Sequence, residues 1–228
     1  MSVDDSKAQD VAAAQAFYTR LSDVYDMMAD SSEHRARERG LVLLAPSPGE
    51  RVLEIGFGTG ASIVALAKSV GPTGHVSGVD VSPGMLAVAR RRLEEQRGLA
   101  QWVDLRVAAV PPIPYADSSF DAVCLSFTLE LFPEIAIPLV LADIRRVLVP
   151  GGRLSLVSMA APSGGEHTSV LEHTYVWMHR HFPHIVDCCP IDVGAWLERS
   201  GFRIDDSERH MIWTMPIAIC VARPNEAR

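Results

Sequence analysis

The stretch Arg51–Ile63, RVLEIGFGTGASI, decides the fold class of this chain. It begins as a short apolar run, passes through glycines at the alternate positions Gly56, Gly58 and Gly60, and then resumes a helix-like spacing of apolar residues. This order predicts a buried strand, a tight turn and a helix. A glycine turn in this context allows a ligand to approach the backbone closely, as nucleotide-binding turns do.

Strands and helices continue to alternate on the C-terminal side of this turn. After the first strand at 51–56, apolar runs predict strands at 75–80, 103–110, 120–127, 153–160, 202–210 and 211–222. Helical spacing predicts helices after most of them, one opening at Ser82 as N-cap with Pro83 in the first turn. No helix separates the last two strands, so the final strand should be antiparallel. The pattern predicts an α/β fold with a doubly wound, Rossmann-like, mostly parallel seven-stranded sheet.

The N-terminal part has a different pattern. Residues 8–44 read as helical, and 45–50, APSPGE, form a linker rich in proline and glycine. We therefore divide the chain of 228 residues into an N-terminal helical cap or lid at 1–45 and a main domain at 46–228. Residues 162–190 interrupt the strand and helix rhythm and are expected to form an insertion over an acceptor pocket.

Composition narrows the function classes. The formal net charge of −7 argues against nucleic acid as a partner and fits a small cationic or neutral ligand. No apolar run approaches the roughly 20 residues of a membrane span, and the acidic N-terminus does not resemble a signal peptide. We therefore expect no integral membrane association. The 4 cysteines show no CxxC spacing, and a disulfide framework is not expected in a chain of this length, so we expect a reducing, cytoplasmic setting.

Three kinds of ligand compete for the glycine turn. A phosphate-binding Walker loop is excluded because the Gly-Lys-Ser/Thr ending is missing. An NAD(P) site fits formally, since Gly56-x-Gly58-x-x-Ala61 is followed by Asp80 at a suitable distance for a ribose contact. Glu54 favours another ligand, because a carboxylate beside the turn repels a pyrophosphate and attracts a cationic amino acid group. S-adenosylmethionine combines a ribose and a positive charge without phosphate.

Four motifs carry a family resemblance in their order along the chain. The motifs VLEIGFGTG, VSGVDVSPGMLAVAR, IPYADSSFDAV and RVLVPGGRLSLVS resemble those of class I S-adenosylmethionine-dependent methyltransferases. The third and fourth are similar to the ubiquinone/menaquinone C-methyltransferase-like branch, the methyltransferase domain 11/25 type. The resemblance implies S-adenosylmethionine as cofactor and methyl transfer to a small-molecule acceptor. It implies these cofactor-binding residues: Tyr18, Tyr25, Glu54, Gly56, Gly58, Gly60, Asp80, Val81, Met85, Ala109, Val110 and Ser126.

One position departs from the family pattern. In this branch the third strand usually ends in an Asp beside the adenine amino group, whereas the matching position here is Ala109, followed by Val110. We expect backbone groups and apolar packing to hold the adenine instead. The N-terminal segment carries Phe17, Tyr18 and Tyr25 at near-helical spacing, and the resemblance implies that it folds over the cofactor. Packing of these aromatic residues on the sheet is the alternative.

Candidates for the catalytic residue are His173, His181 and Tyr18. The two histidines belong to the histidine-rich segment 167–184, for which surface or packing roles, an acid/base role and zinc binding with a nearby cysteine all stay open. Quinone or phenol, lipid amine, thiol and secondary-metabolite acceptors also stay open, as do the atom methylated, the use of a base and the oligomeric state. An NAD(P)-dependent oxidoreductase and a non-catalytic S-adenosylmethionine-binding protein are the alternative functions.

Overall fold

A computed structural model describes residues 31–96, 98–161, 190–212 and 215–225. The strands are β1 Arg51–Ile55, β2 His75–Asp80, β3 Val103–Val107, β4 Phe120–Ser126, β5 Leu148–Met159, β6 Phe202–Ile212 and β7 Met215–Pro224. The helices in these ranges are α1 Ser31–Leu44, α2 Ala61–Val70, α3 Pro83–Glu95, α4 Ile137–Val147 and α5 Val193–Arg199.

The strands form one seven-stranded sheet in the order β3-β2-β1-β4-β5-β7-β6. Strands β1 to β5 pair in parallel, and β7 is antiparallel to both of its neighbours. The predicted fold class is therefore confirmed, including the antiparallel final strand. The direction in which successive strands are added reverses between β1 and β4, which is where an open α/β sheet offers a crevice to a ligand.

Several predicted strand boundaries were wrong, and β3, for example, ends at Val107 instead of 110. β6 extends through Met211 and Ile212, which pair with Pro216 and Met215, so β7 begins four residues later than predicted. The run MIWTMPIAICVA includes both the end of β6 and the start of β7, and because it is mostly apolar on both sides of this boundary it does not reveal where one strand ends and the next begins. β5 begins at Leu148 instead of 153, because an irregular pairing with β4 carries the strand through the predicted Pro-Gly-Gly turn.

Helix α1 confirms the helical prediction for its residues and packs closely on the sheet. A Cβ added at Gly40 would lie 2.5 Å from Val157 Cγ2, so the glycine permits this close approach. The Ser155 hydroxyl donates to the Gly40 carbonyl at 3.1 Å, and Leu44 at the end of the helix is fully buried. His34 is an exposed side chain of this helix, and its ring nitrogen lies 3.2 Å from the Glu38 carboxylate. The division at 45 between a cap and a main domain stays a prediction.

The core has a layer on each face of the sheet. One layer packs α4 and α5 on β1, β4, β5 and β7, and the other packs α2 and α3 on β1, β2 and β3. The amphipathic pattern of each helix directs its apolar side toward the strands. In the described part of the chain, every helix is too short or too polar to cross a membrane. The sheet is thus held from both sides, and its carboxyl edge is left to form the site.

Candidate cofactor site

A cavity of about 300 Å³ opens at the carboxyl ends of β1, β2 and β4. It therefore lies at the crevice that the strand order predicts. Its lining combines the glycine turn, a few polar side chains and an apolar wall. The lining residues are Arg37, Glu54, Ile55, Gly56, Phe57, Gly58, Thr59, Ala61, Ser62, Val79, Asp80, Val81, Met85, Ala108, Val110, Ser126, Phe127, Thr128, Leu131 and Phe132.

The three glycines of the turn have left-handed backbone angles, with φ of 74°, 50° and 80°, which favour glycine. At Gly56 an added Cβ would lie 2.4 Å from the Thr128 hydroxyl oxygen, and at Gly60 it would lie 2.8 Å from Ala89 Cβ. At Gly58 it would meet no protein atom within 4 Å. Gly56 and Gly60 thus allow close packing of protein parts, whereas Gly58 leaves backbone facing open space.

Asp80 is the last residue of β2, and its carboxylate binds the glycine turn through a hydrogen bond. Its Oδ2 accepts a hydrogen bond from the Gly58 amide and its Oδ1 from the Ser82 amide, both at 2.9 Å. Burial raises the pKa of Asp80, while the amides of Ser82, Gly58 and Val81 act in the opposite direction. Each carboxylate oxygen has a second lone pair, so the side chain can still accept from two neighbouring hydroxyl groups. The diol of a ribose fits this requirement.

Glu54 is a buried carboxyl group, only 2% exposed, in the wall of the cavity. Burial raises its pKa to about 8, against the opposing effects of the Arg37 charge and a hydrogen bond from Ser62. Its Oε2 has no hydrogen-bond partner among the described residues. A buried carboxylate oxygen without a donor is unfavourable. A ligand ammonium group in the cavity would supply both the missing donor and the opposite charge.

This arrangement predicts that a cationic ligand displaces the proton of Glu54. With a pKa of about 8, the carboxyl group is mostly protonated in the free protein at about pH 7, and an adjacent ammonium group stabilises the ionised form. We expect binding of S-adenosylhomocysteine at about pH 7 to release close to one proton, measured by calorimetry in buffers of different ionisation enthalpy. Glu54→Gln should abolish the release, and an equal release from this variant would contradict the prediction.

The structure brings most of the predicted cofactor residues together. Glu54, Gly56, Gly58, Asp80, Val81, Met85, Val110 and Ser126 all line the cavity. Gly60 does not line it and instead allows close packing against α3. Ala108 is in the lining in place of Ala109, and its amide donates to the Asp80 carbonyl at 2.9 Å. The cofactor contacts of all these residues stay predictions.

Sequence reasoning missed several residues of the lining. Arg37 comes from α1, and its position gives no sign of this because it precedes the glycine turn by many residues. Phe127, Thr128, Leu131 and Phe132 follow β4. They could have been inferred from topology, since β4 pairs directly with β1 and both strands end at the same edge of the sheet. The residues that follow β4, most of them apolar, therefore lie beside the glycine turn that follows β1.

The remaining candidates lie outside the described residues. These are Tyr18 and Tyr25 of the predicted lid, and His173 and His181 of the histidine-rich segment. Their predicted roles are therefore not tested by the geometry. Among the described residues, no group of three or more His, Cys, Asp or Glu side chains is arranged to hold a metal ion.

The fold and the cavity together define a class of protein. A parallel sheet with a glycine turn after β1 and an acid after β2 is typical of a nucleoside-binding α/β enzyme. The unpaired Glu54 carboxylate oxygen fits a ligand that carries a cation, and it does not fit a pyrophosphate. The class is thus one that binds a nucleoside linked to a cationic group.

Comparisons with known proteins agree with this class. The sequence profile of a protein family described as a methyltransferase domain matches residues 52–152. The chain is 31% identical over 191 residues to the demethylmenaquinone methyltransferase of Halalkalibacterium halodurans, covering 82% of this chain and 75% of that protein. It is 34% identical over 154 residues to the 2-phytyl-1,4-naphtoquinone methyltransferase of Synechococcus elongatus, covering 66% and 65% of the two chains.

A solved structure shows the same fold. It is the 1,6-didemethyltoxoflavin-N1-methyltransferase of Burkholderia thailandensis, with a TM-score of 0.71, 17% identity, and coverage of 99% of this chain and 92% of that one. At this identity the likeness concerns the fold alone. The sequence comparisons show the family: the chain belongs to the class I S-adenosylmethionine-dependent methyltransferases, in their ubiquinone/menaquinone C-methyltransferase-like branch. The family predicted from the four motifs is confirmed.

Proposed function

We propose that this protein transfers a methyl group from S-adenosylmethionine to a ring carbon of a reduced quinone. The observation that carries the proposal is the cavity itself, in which the polar groups around Glu54 and Asp80 adjoin an apolar wall. Phe127, Leu131 and Phe132 belong to that wall, which suits a flat apolar acceptor. The names of the relatives that share about a third of the sequence support a quinone as the acceptor.

The residues present fit the cofactor. Asp80 would accept hydrogen bonds from the ribose hydroxyls, and Glu54 would accept one from the ammonium group of the methionine end. Gly58 would let the backbone of the turn approach the ligand, since its missing side chain leaves open space. Val81, Met85 and Val110 would surround the adenine with apolar surface, in agreement with the lack of an acid at 108–110.

The chemistry explains why the reduced quinone is the expected substrate. The sulfonium of the cofactor would supply an electrophilic methyl group, so the acceptor carbon must donate the electron pair of the new bond. A hydroquinone ring is rich in electrons, whereas the oxidised quinone is itself an electrophile. In the transfer, the acceptor carbon would bond to the methyl carbon while the carbon–sulfur bond breaks and leaves its electron pair on sulfur. The ring proton would then pass to a base such as solvent water. The cavity walls orient the two partners and exclude water.

The acceptor can be tested by turnover. The purified protein is incubated with S-adenosylmethionine and one of four acceptors: a naphthohydroquinone with an unsubstituted ring carbon, its oxidised form, a thiol and a lipid amine. We expect S-adenosylhomocysteine and a methylated product only with the hydroquinone. Methylation of the thiol or the amine without methylation of the hydroquinone would overturn the acceptor class. Cofactor binding without turnover of any acceptor would favour a binding protein of the same fold.

Three further features of the proposal rest on the sequence. The partners we propose are the cofactor and one small acceptor, without nucleic acid, because the chain has a net charge of −7. A cytoplasmic location and the catalytic candidates Tyr18, His173 and His181 are likewise proposals from the sequence.

A further inference from the structure

An acidic and a basic side chain line the cavity at the end of β1. Glu54 contributes a buried carboxyl group from the strand, and Arg37 contributes a guanidinium group from α1. The two groups are close enough for the Arg37 charge to lower the pKa of Glu54, although burial outweighs this effect. Among the described residues, Glu54 from β1 and Arg37 from α1 thus line the same cavity.

Residues on either side of Arg37 in helix α1 pack against the sheet. The neighbouring Ala36 is buried against the sheet, and Gly40 one turn further allows the close contact with Val157. Arg35, on the same helix, is exposed. The packed side of α1 therefore fixes the backbone from which the Arg37 side chain extends into the cavity.

The two side chains do not form an ion pair with each other. Over the described ranges, Arg37 makes no ion pair, whereas Arg39 two residues later is paired with Glu208. Glu54 likewise keeps one oxygen without a donor among the described residues. The two groups thus line one cavity without contacting each other, and the space between them has a guanidinium group on one side and, on the other, a carboxyl group that an ammonium ligand would ionise. A group with an ammonium and a carboxylate on one carbon matches that space.

We infer that Arg37 binds the carboxylate of the methionine end of the cofactor while Glu54 binds its ammonium group. The inference rests on the proposed function, because it assigns the amino acid end of the proposed cofactor. A guanidinium group can bind a carboxylate through two parallel hydrogen bonds, which gives direction as well as strength. Arg37 thereby selects a cofactor with an intact α-amino acid over one that has lost its carboxyl group.

Binding of three ligands to four proteins tests this assignment. The ligands are S-adenosylhomocysteine, its analogue without the carboxyl group, and 5′-methylthioadenosine, which lacks the whole amino acid end. The proteins are the wild type, Arg37→Gln, Arg37→Lys and the control Arg35→Gln, which removes an exposed charge from the same helix. Calorimetry gives each dissociation constant, and thermal unfolding without ligand shows that the variants are folded.

Arg37→Gln should weaken binding of S-adenosylhomocysteine roughly 10- to 100-fold, the range of a lost hydrogen bond to a charged group. It should change binding of the other two ligands less than about threefold, Arg37→Lys should recover part of the loss, and Arg35→Gln should resemble the wild type. Equal weakening for all three ligands, or none for S-adenosylhomocysteine, would overturn the role of Arg37. If the wild type bound 5′-methylthioadenosine but not S-adenosylhomocysteine, the inference would fail while the nucleoside site stood. No binding of any ligand to the wild type would overturn the proposed function and this inference with it.

Discussion

Asp80→Ala is expected to weaken binding of S-adenosylhomocysteine by at least about 100-fold. The carboxylate would accept two hydrogen bonds from the ribose, and each hydrogen bond to a charged group contributes about 1.5–3 kcal/mol. The same substitution also removes the acceptor for the Gly58 and Ser82 amides, which loosens the turn that faces the ligand. Both effects act in the same direction, and calorimetry of the variant measures their sum.

The ligand series of the Arg37 experiment provides the control for Asp80. Because 5′-methylthioadenosine keeps the ribose, Asp80→Ala should weaken its binding as strongly as that of S-adenosylhomocysteine. Arg37→Gln should leave its binding nearly unchanged. The two substitutions thus report on opposite ends of the ligand. Normal binding of either ligand to a folded Asp80→Ala variant would show that the ribose assignment is wrong.

The second large effect concerns stability. Gly56→Ala should lower the free energy of unfolding by about 2–5 kcal/mol, from two sources. A left-handed backbone with φ of 74° costs a residue with a Cβ about 1–2 kcal/mol. The added Cβ would also lie 2.4 Å from the Thr128 hydroxyl oxygen, and overpacking of this kind costs about 1–3 kcal/mol. Urea denaturation of the protein without ligand measures the total.

Gly151 is the matched control for Gly56. It has a similar φ of 79°, but an added Cβ would meet no atom within 4 Å. Gly151→Ala should therefore show only the backbone cost of about 1–2 kcal/mol. A Thr128→Ala substitution in the Gly56→Ala background should recover part of the difference, because it removes the overlapping atoms. If Gly56→Ala were no more destabilising than Gly151→Ala, the close approach of the turn to Thr128 would not limit stability.

Much of the fold follows from local patterns in the sequence. Helix α2 occupies Ala61–Val70, directly after the glycine turn as predicted, and glycines flank it on both sides. Ser82 caps α3 as predicted, with its side chain accepting from the Met85 amide. The boundary between β6 and β7 could not be predicted, since the apolar residues on both sides of the hairpin are alike. Cross-strand pairing between Ile212 and Met215 decides it, and pairing is a tertiary property.

The residues of the site also fall into those that could be predicted from the sequence and those that could not. Glu54, Gly58 and Asp80 were predictable because they belong to consecutive elements whose order alone brings them to one edge of the sheet. Arg37 was not, because its place depends on how α1 packs across β5 and β7. The unpaired oxygen of Glu54 was also beyond the sequence, since burial and the lack of a donor are defined only by the folded surroundings.

The most direct test of the account is calorimetric titration of the purified wild-type protein with S-adenosylhomocysteine. The account predicts saturable binding of one ligand per chain, accompanied at about pH 7 by release of the Glu54 proton. Absence of binding at millimolar ligand would contradict the assignment of the cavity as the cofactor site.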